Sequence, residues 1–153
     1  MKVTKEGMVE LYQLFNEWYF GDKEAGIIGV KSEMDDWNDF LKKNLSKDPE
    51  DIDDAIQKCI GYMGRSVDIF AEAEKFYSLA RGAATIDVAR ELPSLGSNQQ
   101  KYVVDAKTAT VKKAFTEADR LNAAFTHAID GLRSRLSYQK EMHKRQPYTE
   151  ARP

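Results

Sequence analysis

The chain has 153 residues, of which 42% are hydrophobic and 31% are charged, a length and composition typical of one globular domain. No apolar run approaches the ~20 residues of a membrane-spanning helix, and the first ten residues lack the apolar core of a signal peptide. Cys59 is the single cysteine, which excludes a disulfide within one chain and predicts a buried thiol. We therefore expect a cytoplasmic protein without a membrane partner.

The net charge of −2 conceals an asymmetry between the two halves of the chain. Residues 1–92 hold 12 Lys and Arg against 19 Asp and Glu, a net charge of −7, whereas residues 93–153 hold 11 against 6, a net charge of +5. An acidic segment repels nucleic acid, while a basic segment binds phosphates or the acidic segment of a neighbouring subunit. The two halves are therefore expected to have different partners.

Residues 1–47 are predicted to form an N-terminal helical segment. The apolar residues of a first helix recur at helical spacing, at Met8, Leu11, Leu14, Phe15 and Trp18. Three glycines then interrupt the pattern, at Gly21, Gly26 and Gly29. A second short helix is predicted from Ser32, whose hydroxyl can cap it, to about Leu45. Its buried face consists of Met34, Trp37, Phe40 and Leu41.

Residues 48–146 carry two long heptad patterns, separated by the breaker run Pro-Ser-Leu-Gly-Ser-Asn at residues 93–98. Asp48 followed by Pro49 predicts the start of the first long helix, because Asp caps free amides and Pro suits the first helical position. The helix is predicted to run to about Glu91. The second should run without a break from near Asn98 toward Gln146, where Pro147 ends it, leaving residues 147–153 as a tail.

An apolar row follows each long helix in steps of three and four residues. The row of the first helix consists of Ile52, Ile56, Cys59, Met63, Ser66, Phe70, Ala73, Tyr77, Ala80, Ala84 and Asp87. The row of the second helix consists of Val104, Thr108, Val111, Phe115, Ala118, Asn122, Phe125, Ile129, Leu132, Leu136, Gln139 and His143. A helix of about 45 residues is a rod of roughly 65 Å, too long to hide such a row within a compact sphere. Either the N-terminal helices or other subunits must therefore cover it.

The predicted fold is all-α: a long antiparallel helical hairpin with two shorter N-terminal helices and no sheet, in a coiled-coil-like oligomer. Asn122, on the apolar row, is expected to pair with another polar group and set the register, unless it faces solvent.

Signals of catalysis are weak. The two histidines, His127 and His143, lack the acidic neighbour of the Glu-x-x-His metal motif, and there is no phosphate loop, dinucleotide fingerprint or nucleophile elbow. Two groups of acids could hold Mg²⁺ as in all-α nucleotide pyrophosphatases: Asp35, Asp36 and Asp39, and Glu50, Asp51, Asp53 and Asp54. Helix dipoles and solvation explain them without a metal. We predict no enzyme activity, no metal and no cofactor.

The end of the second long helix is strongly basic. Helical spacing sorts it into one row with Arg133, Ser137, Lys140 and Lys144 and an adjacent row with Arg135, Tyr138, Met142 and Arg145. Such cations suit the phosphates of a nucleic acid, and a tyrosine ring offers a base a stacking surface, although cations at a helix C-terminus are also favoured by the dipole alone. The candidate nucleic-acid-binding residues are Arg133, Arg135, Tyr138, Lys140, Lys144 and Arg145. Further lysines extend the positive charge, at Lys101, Lys107, Lys112 and Lys113.

Residues 128–135, Ala-Ile-Asp-Gly-Leu-Arg-Ser-Arg, followed by Lys140 and Met142, resemble the C-terminal signature of the UvsY-type recombination mediators of tailed phages. The aromatic pair Phe76-Tyr77, followed by a helix break and a charged second helix, is similar too, so the resemblance covers about residues 70–145. It implies an all-helical homo-oligomer that binds single-stranded DNA, contacts a RecA-like recombinase and a single-strand binding protein, and helps load the former in place of the latter.

One departure from that family limits what the resemblance implies. Where the family has a basic Lys-x-Arg element just before the aromatic pair, this chain has Glu72-Ala73-Glu74. The DNA-contact residues of that element are therefore not carried over to this chain.

Three functions of different classes follow from the sequence. The first is a single-stranded DNA-binding recombination mediator, acting in the host cytoplasm if the chain is phage-encoded. The alternative is a helical homo-oligomeric assembly or adaptor protein without nucleic-acid binding, whose acidic and basic halves pair between subunits. A Mg²⁺-dependent nucleotide pyrophosphatase built on the acid groups is more remote.

Overall fold

A computed structural model of the chain describes the backbone of residues 5–43 and 48–150, and the side chains of residues 7–43 and 48–145. The elements of the described residues are α1 (Lys5–Phe20), β1 (Gly21–Asp22), β2 (Ile27–Ile28), α2 (Val30–Lys42), α3 (Pro49–Glu91), α4 (Ser97–Lys107) and α5 (Ala109–Glu150). The prediction of an all-α fold is confirmed. Within the same residues, no helix is both long and apolar enough to cross a membrane.

The expectation of no sheet is wrong at residues 21–28, where β1 and β2 pair in antiparallel register, Gly21 opposite Ile28. Local chemistry makes this turn: the Asp22 Oδ1 atom accepts hydrogen bonds from the amides of Glu24 (3.1 Å) and Ala25 (3.3 Å). Gly21 has a φ of +79°, a conformation that favours glycine. The glycines therefore end α1 as predicted, but by folding the chain back through a two-residue ladder.

The boundaries of α2 differ from those predicted, whereas the start of α3 is confirmed. Helix α2 begins at Val30, before Ser32. Its N-cap residue is Gly29, which has no side chain to accept a hydrogen bond, so Ser32 does not cap the helix. It ends at Lys42; the predicted end at Leu45 lies outside the described residues. At the start of α3, the Asp48 carboxylate accepts a hydrogen bond from the Glu50 amide at 3.1 Å, with Pro49 as the first helical residue.

The second long helix was predicted to be continuous, and this prediction is wrong at Thr108, which separates α4 from α5. The Tyr12 hydroxyl donates to the main-chain carbonyl of Lys107 at 2.6 Å, the acceptor that a continuous helix would offer to the amide of Val111. The Thr108 hydroxyl also donates to the Val104 carbonyl at 2.8 Å, a contact that bends helices.

The predicted end of the second long helix is also wrong, because α5 continues through Pro147 to Glu150 instead of ending at Gln146. Proline lacks an amide hydrogen, so one hydrogen bond to the carbonyl of His143 is lost close to the end of the helix. The rest of the predicted tail, residues 151–153, lies outside the described range.

The core lies between α3 and α5, which run antiparallel. Ring contacts join Phe70 and Tyr77 of α3 to Phe115 of α5, at centroid distances of 5.1 and 5.5 Å. The N-terminal helices lie along this pair, since Phe15 of α1 and Trp37 of α2 belong to the same buried cluster. One residue of the predicted apolar face of α1 is not buried: 59% of Leu14 is exposed. The N-terminal helices thus cover much of the apolar rows within one chain.

Candidate nucleic-acid interface

All six candidate nucleic-acid-binding residues lie on the exposed surface of α5. Buried residues of the same helix, Leu132 among them, fix its orientation by packing into the core. The exposed fraction of Tyr138 is 60%, so its ring is available to a partner. The sequence-derived candidates are therefore accessible as a set.

The two basic rows, however, are not adjacent. Successive residues of an α-helix turn by about 100°, which places Arg133 and Lys140 on one flank of the buried Leu132 and places Arg135 and Tyr138 on the other. The surroundings agree, because Lys140 lines a depression with Pro49 at the start of α3, whereas Arg135 lines a groove with Phe40 of α2. The structure therefore does not bring the six side chains together on one surface.

The flank with Lys140 faces acidic residues. Its depression is lined by Glu50, Asp53 and Asp54 together with Lys140, because the antiparallel packing brings the acidic start of α3 beside the basic end of α5. Carboxylates at this place lower the positive potential that a phosphate would meet. Lys140 consequently lies in a less positive potential than its own charge would give.

The flank with Arg135 continues far beyond the predicted cluster. About 100° per residue places five exposed residues on it, and we call them the basic flank: Lys113, Arg120, Arg135, Tyr138 and Arg145. Lys113 and Arg145 are separated by 32 residues, or roughly 48 Å at ~1.5 Å per residue. Lys113 was noted from the sequence but was assigned to no face of the helix, and Arg120 was missed. The two residues are seven apart, a spacing that places them on the same face of a helix and could have identified both.

Lys113 and Arg120 share a depression with three carboxylates, and each of these has a partner: Asp35 pairs with Lys31, Asp105 with Arg81, and Glu117 with Tyr19. Glu117 lies between Lys113 and Arg120, and its Oε2 atom accepts a hydrogen bond from the Tyr19 hydroxyl at 3.0 Å. Burial, assisted by Glu117, raises the pKa of Tyr19, so the hydroxyl stays a donor at neutral pH. Among the described residues, Lys113, Arg120 and Arg135 form no ion pair with a carboxylate. These three cations are therefore open to an external anion.

Of the other lysines noted in the sequence, Lys112 lines the same depression as Lys113, whereas two lie elsewhere. The Lys107 ammonium lies 3.1 Å from a carboxylate oxygen of Asp87, and Lys101 lines a separate depression beside Arg81. The acids of α2 and α3 also have ordinary surroundings, since Asp35 pairs with Lys31 at 2.9 Å. In the part of the chain that the structure describes, no three potential metal ligands of the His, Cys, Asp or Glu type come together. The absence of enzyme activity stays a prediction.

The fold and the basic flank define a helical protein with exposed cations along α5. We found no family model, no curated protein and no solved structure that matches this chain. The resemblance of residues 70–145 to UvsY-type mediators accordingly remains a hypothesis, and the chemistry of the basic flank supplies the functional argument.

Proposed function

We propose that this protein binds single-stranded DNA along the basic flank and acts as a recombination mediator that helps load a RecA-like recombinase. The observation that carries the proposal is the set of exposed cations on one flank of α5, three of them without a carboxylate partner among the described residues. Cations that neutralise phosphates release condensed counterions, which supplies most of the affinity for a nucleic-acid backbone.

The exposed ring of Tyr138 favours a single strand over a duplex. It lies on the same flank as Arg135, one helical turn further along α5. Unpaired bases can stack on such a ring, whereas the bases of a duplex are already stacked on one another. Since stacking is tolerant of sequence, binding is expected to be nearly independent of base identity.

The mediator role comes from the resemblance to UvsY-type proteins. It adds a RecA-like recombinase and a single-strand binding protein as partners, in the cytoplasm of the host if the chain is phage-encoded. It also implies a homo-oligomer, and several subunits that each bind a strand weakly would together bind it tightly. The basic flank supports the DNA contact alone; the two protein partners rest on the resemblance.

A helical assembly or adaptor protein is the second candidate function, and one observation favours it. Apolar residues recur in steps of three and four on one side of α3, at Ile56, Ile60, Met63, Val67 and Phe70. Ile60 and Val67 remain 42% and 50% exposed. The other three residues pack toward the core, and the two exposed ones, at heptad spacing, suit a coiled-coil-like contact between subunits, which the mediator proposal also requires.

Two charge-matched double variants test DNA binding. Arg120→Gln with Arg135→Gln removes two cations from the basic flank, and Arg133→Gln with Lys140→Gln removes two from the opposite flank. Each phosphate contact adds about −0.7 to the slope of log affinity against log salt. The first variant should therefore weaken binding to an unstructured oligonucleotide and make the slope shallower by about 1.4, with a much smaller change in the second.

The mass of each variant is measured alongside, so that loss of binding is not confused with loss of assembly. Equal effects of the two variants would show a diffuse response to charge and contradict the assignment to the basic flank. A wild-type protein that binds no single strand even at low salt would overturn the proposed function and leave the assembly protein.

A further inference from the structure

A groove of about 470 Å³ opens where α2, α3 and α5 meet, beside the basic flank. Phe40 and Leu41 of α2 form one wall, and Cys59 of α3 lies within it with 1% of its surface exposed. The other wall belongs to α5 and consists of Ala128, Gly131 and Leu132. The interior is therefore apolar and partly aromatic.

Two cations also line this groove, Lys43 from the end of α2 and Arg135 from the basic flank. Both are exposed, and among the described residues neither forms an ion pair with a carboxylate. Burial raises the pKa of the Cys59 thiol, so the interior carries no charge of its own at neutral pH. The apolar interior thus suits an uncharged apolar group, and the two cations suit anions attached to that group on either side.

The shape of the groove depends on two residues. The ring of Phe40 packs edge-on against Tyr62, with centroids 5.3 Å apart and planes at 83°, which holds the aromatic wall in place. Gly131 leaves the opposite wall open, because a Cβ atom added there would meet nothing within 4 Å. The groove is therefore open on the side of Gly131.

We propose that this groove holds a nucleobase of the bound single strand, with Lys43 and Arg135 on the phosphates at either side of that nucleotide. The inference deepens the proposed function and rests on it, because Arg135 belongs to the basic flank. Tyr138 lies one turn beyond Arg135, so one base stacks on the exposed ring while a neighbour enters the groove.

The groove then explains strand selectivity. A base that is paired in a duplex has to be unstacked and rotated out before it can enter such a pocket. A single strand needs no such step. An acyl carboxylate or the carboxyl end of a peptide would bring a single anion to the groove, whereas a nucleotide within a strand brings one phosphate on each side and so matches both cations.

The open wall at Gly131 allows a direct test. Gly131→Leu fills the groove without changing any charge, and Gly82→Leu is the matched control, because Gly82 is also a helical glycine with open space around its Cα and does not line the groove. The probes are oligothymidine and an oligonucleotide of the same length whose residues are abasic. Affinities are measured across a range of salt concentrations, with circular dichroism to verify folding.

We expect the wild-type protein and Gly82→Leu to bind oligothymidine about a hundredfold more tightly than the abasic strand, at roughly tenfold for each of the two contacted bases. Gly131→Leu should lose the roughly tenfold that belongs to the groove, while its salt slope stays unchanged, since no cation has been removed. If Gly131→Leu fails to fold, Gly131→Met offers a flexible side chain of similar volume for the same measurement.

The possible results distinguish failure of the base site in the groove from failure of DNA binding at the basic flank. A wild-type protein that binds neither strand overturns both the base site and the proposed function. A base preference as large in Gly131→Leu as in the wild-type protein assigns the whole preference to Tyr138 and overturns the base site alone. Displacement of the strand by decanoate or by a short apolar peptide, lost in Gly131→Leu, would assign the groove to a different ligand and also overturn the inference.

Discussion

At the scale of single residues, one polar contact crosses the largely apolar interface of α3 and α5. Ser66 is 1% exposed, and its hydroxyl donates a hydrogen bond to the Asn122 side-chain oxygen. The expectation that Asn122 pairs with a polar group is confirmed, and the partner is a residue of the same chain. A shift of one helix along the other would separate the two groups, so the pair stabilises one register over its neighbours.

This pair leads to a prediction about stability. Asn122→Leu leaves the buried Ser66 hydroxyl without its acceptor and should lower the free energy of unfolding by about 1–3 kcal/mol. Adding Ser66→Ala to that variant should recover part of the loss, because the unsatisfied donor is then gone. Urea unfolding of the wild type, both single variants and the double variant gives the coupling energy. Additive effects would mean that the Ser66 hydroxyl finds another acceptor, such as the carbonyl one turn earlier.

At the scale of helices, neighbouring residues predicted the start of α3, whereas a distant residue contributes to the break at Thr108. Asp48 and Pro49 start α3 through local hydrogen bonding and backbone geometry, which the sequence displays. The break at Thr108 involves the hydroxyl of Tyr12, which lies 95 residues before its acceptor Lys107. A heptad pattern contains no information about such a contact, so the second long helix was predicted as one piece.

The candidate site shows the same division. Helical spacing correctly assigned Arg133 and Arg135 to different rows, because spacing depends on α5 alone. Which row lies beside the acids of α3 depends on how α5 packs against α3, and the heptad pattern of α5 does not predict that. Arg120 was missed although the helix had been predicted as continuous over it, because it lies about four turns before the basic cluster and only the packing of α5 shows that both are on the exposed side.

The glycines of α3 give a prediction at this scale. Gly64 and Gly82 lie inside a continuous helix, and a Cβ atom at either position would meet nothing within 4 Å. Gly64→Ala and Gly82→Ala should each raise the free energy of unfolding by roughly 1 kcal/mol, because alanine loses less backbone entropy on folding. Thermal and urea unfolding measure the change.

Gly29→Ala is the contrasting variant. Its Cβ atom would lie 2.3 Å from the carbonyl oxygen of Tyr19, so the backbone would have to move and the protein should be destabilised by more than the ~1 kcal/mol gained elsewhere. A loss of stability in Gly64→Ala or Gly82→Ala would reveal a close backbone contact with another subunit at that glycine.

At the scale of the whole molecule, the acidic and basic halves meet within one chain. Arg81 of α3 lies 2.7 Å from Asp105 of α4, and Asp87 lies 3.1 Å from Lys107. The hydrogen bond between Arg81 and Asp105 raises the pKa of Arg81 and lowers that of Asp105, as expected for a pair that favours both charged forms. Of these two ion pairs, the one between Asp87 and Lys107 joins an acid of the acidic half to a cation of the basic half within one chain.

Two exposed apolar residues of α3 are the source of self-association in our proposal, and they yield the last prediction. Ile60 and Val67 lie seven residues apart, with the half-buried Met63 between them, so a second copy can pack along this side of α3. The wild-type protein should exceed the monomer mass in light scattering at micromolar concentration. Ile60→Glu with Val67→Glu should reduce the mass to that of a monomer, because two charges would have to be buried in the contact.

Leu79→Glu with Ile86→Glu is the matched control, since these residues are also seven apart on α3, with 39% and 44% exposed, but have Gly82 between them in place of an apolar side chain. It should keep the wild-type mass. A monomeric wild-type protein, or an equal effect of both variants, would contradict the proposed contact. The Ile60→Glu and Val67→Glu protein is also tested for DNA binding. If it is a monomer that binds more weakly, but the slope of log affinity against log salt per subunit is unchanged, the affinity of the assembly comes from several weak sites acting on one strand.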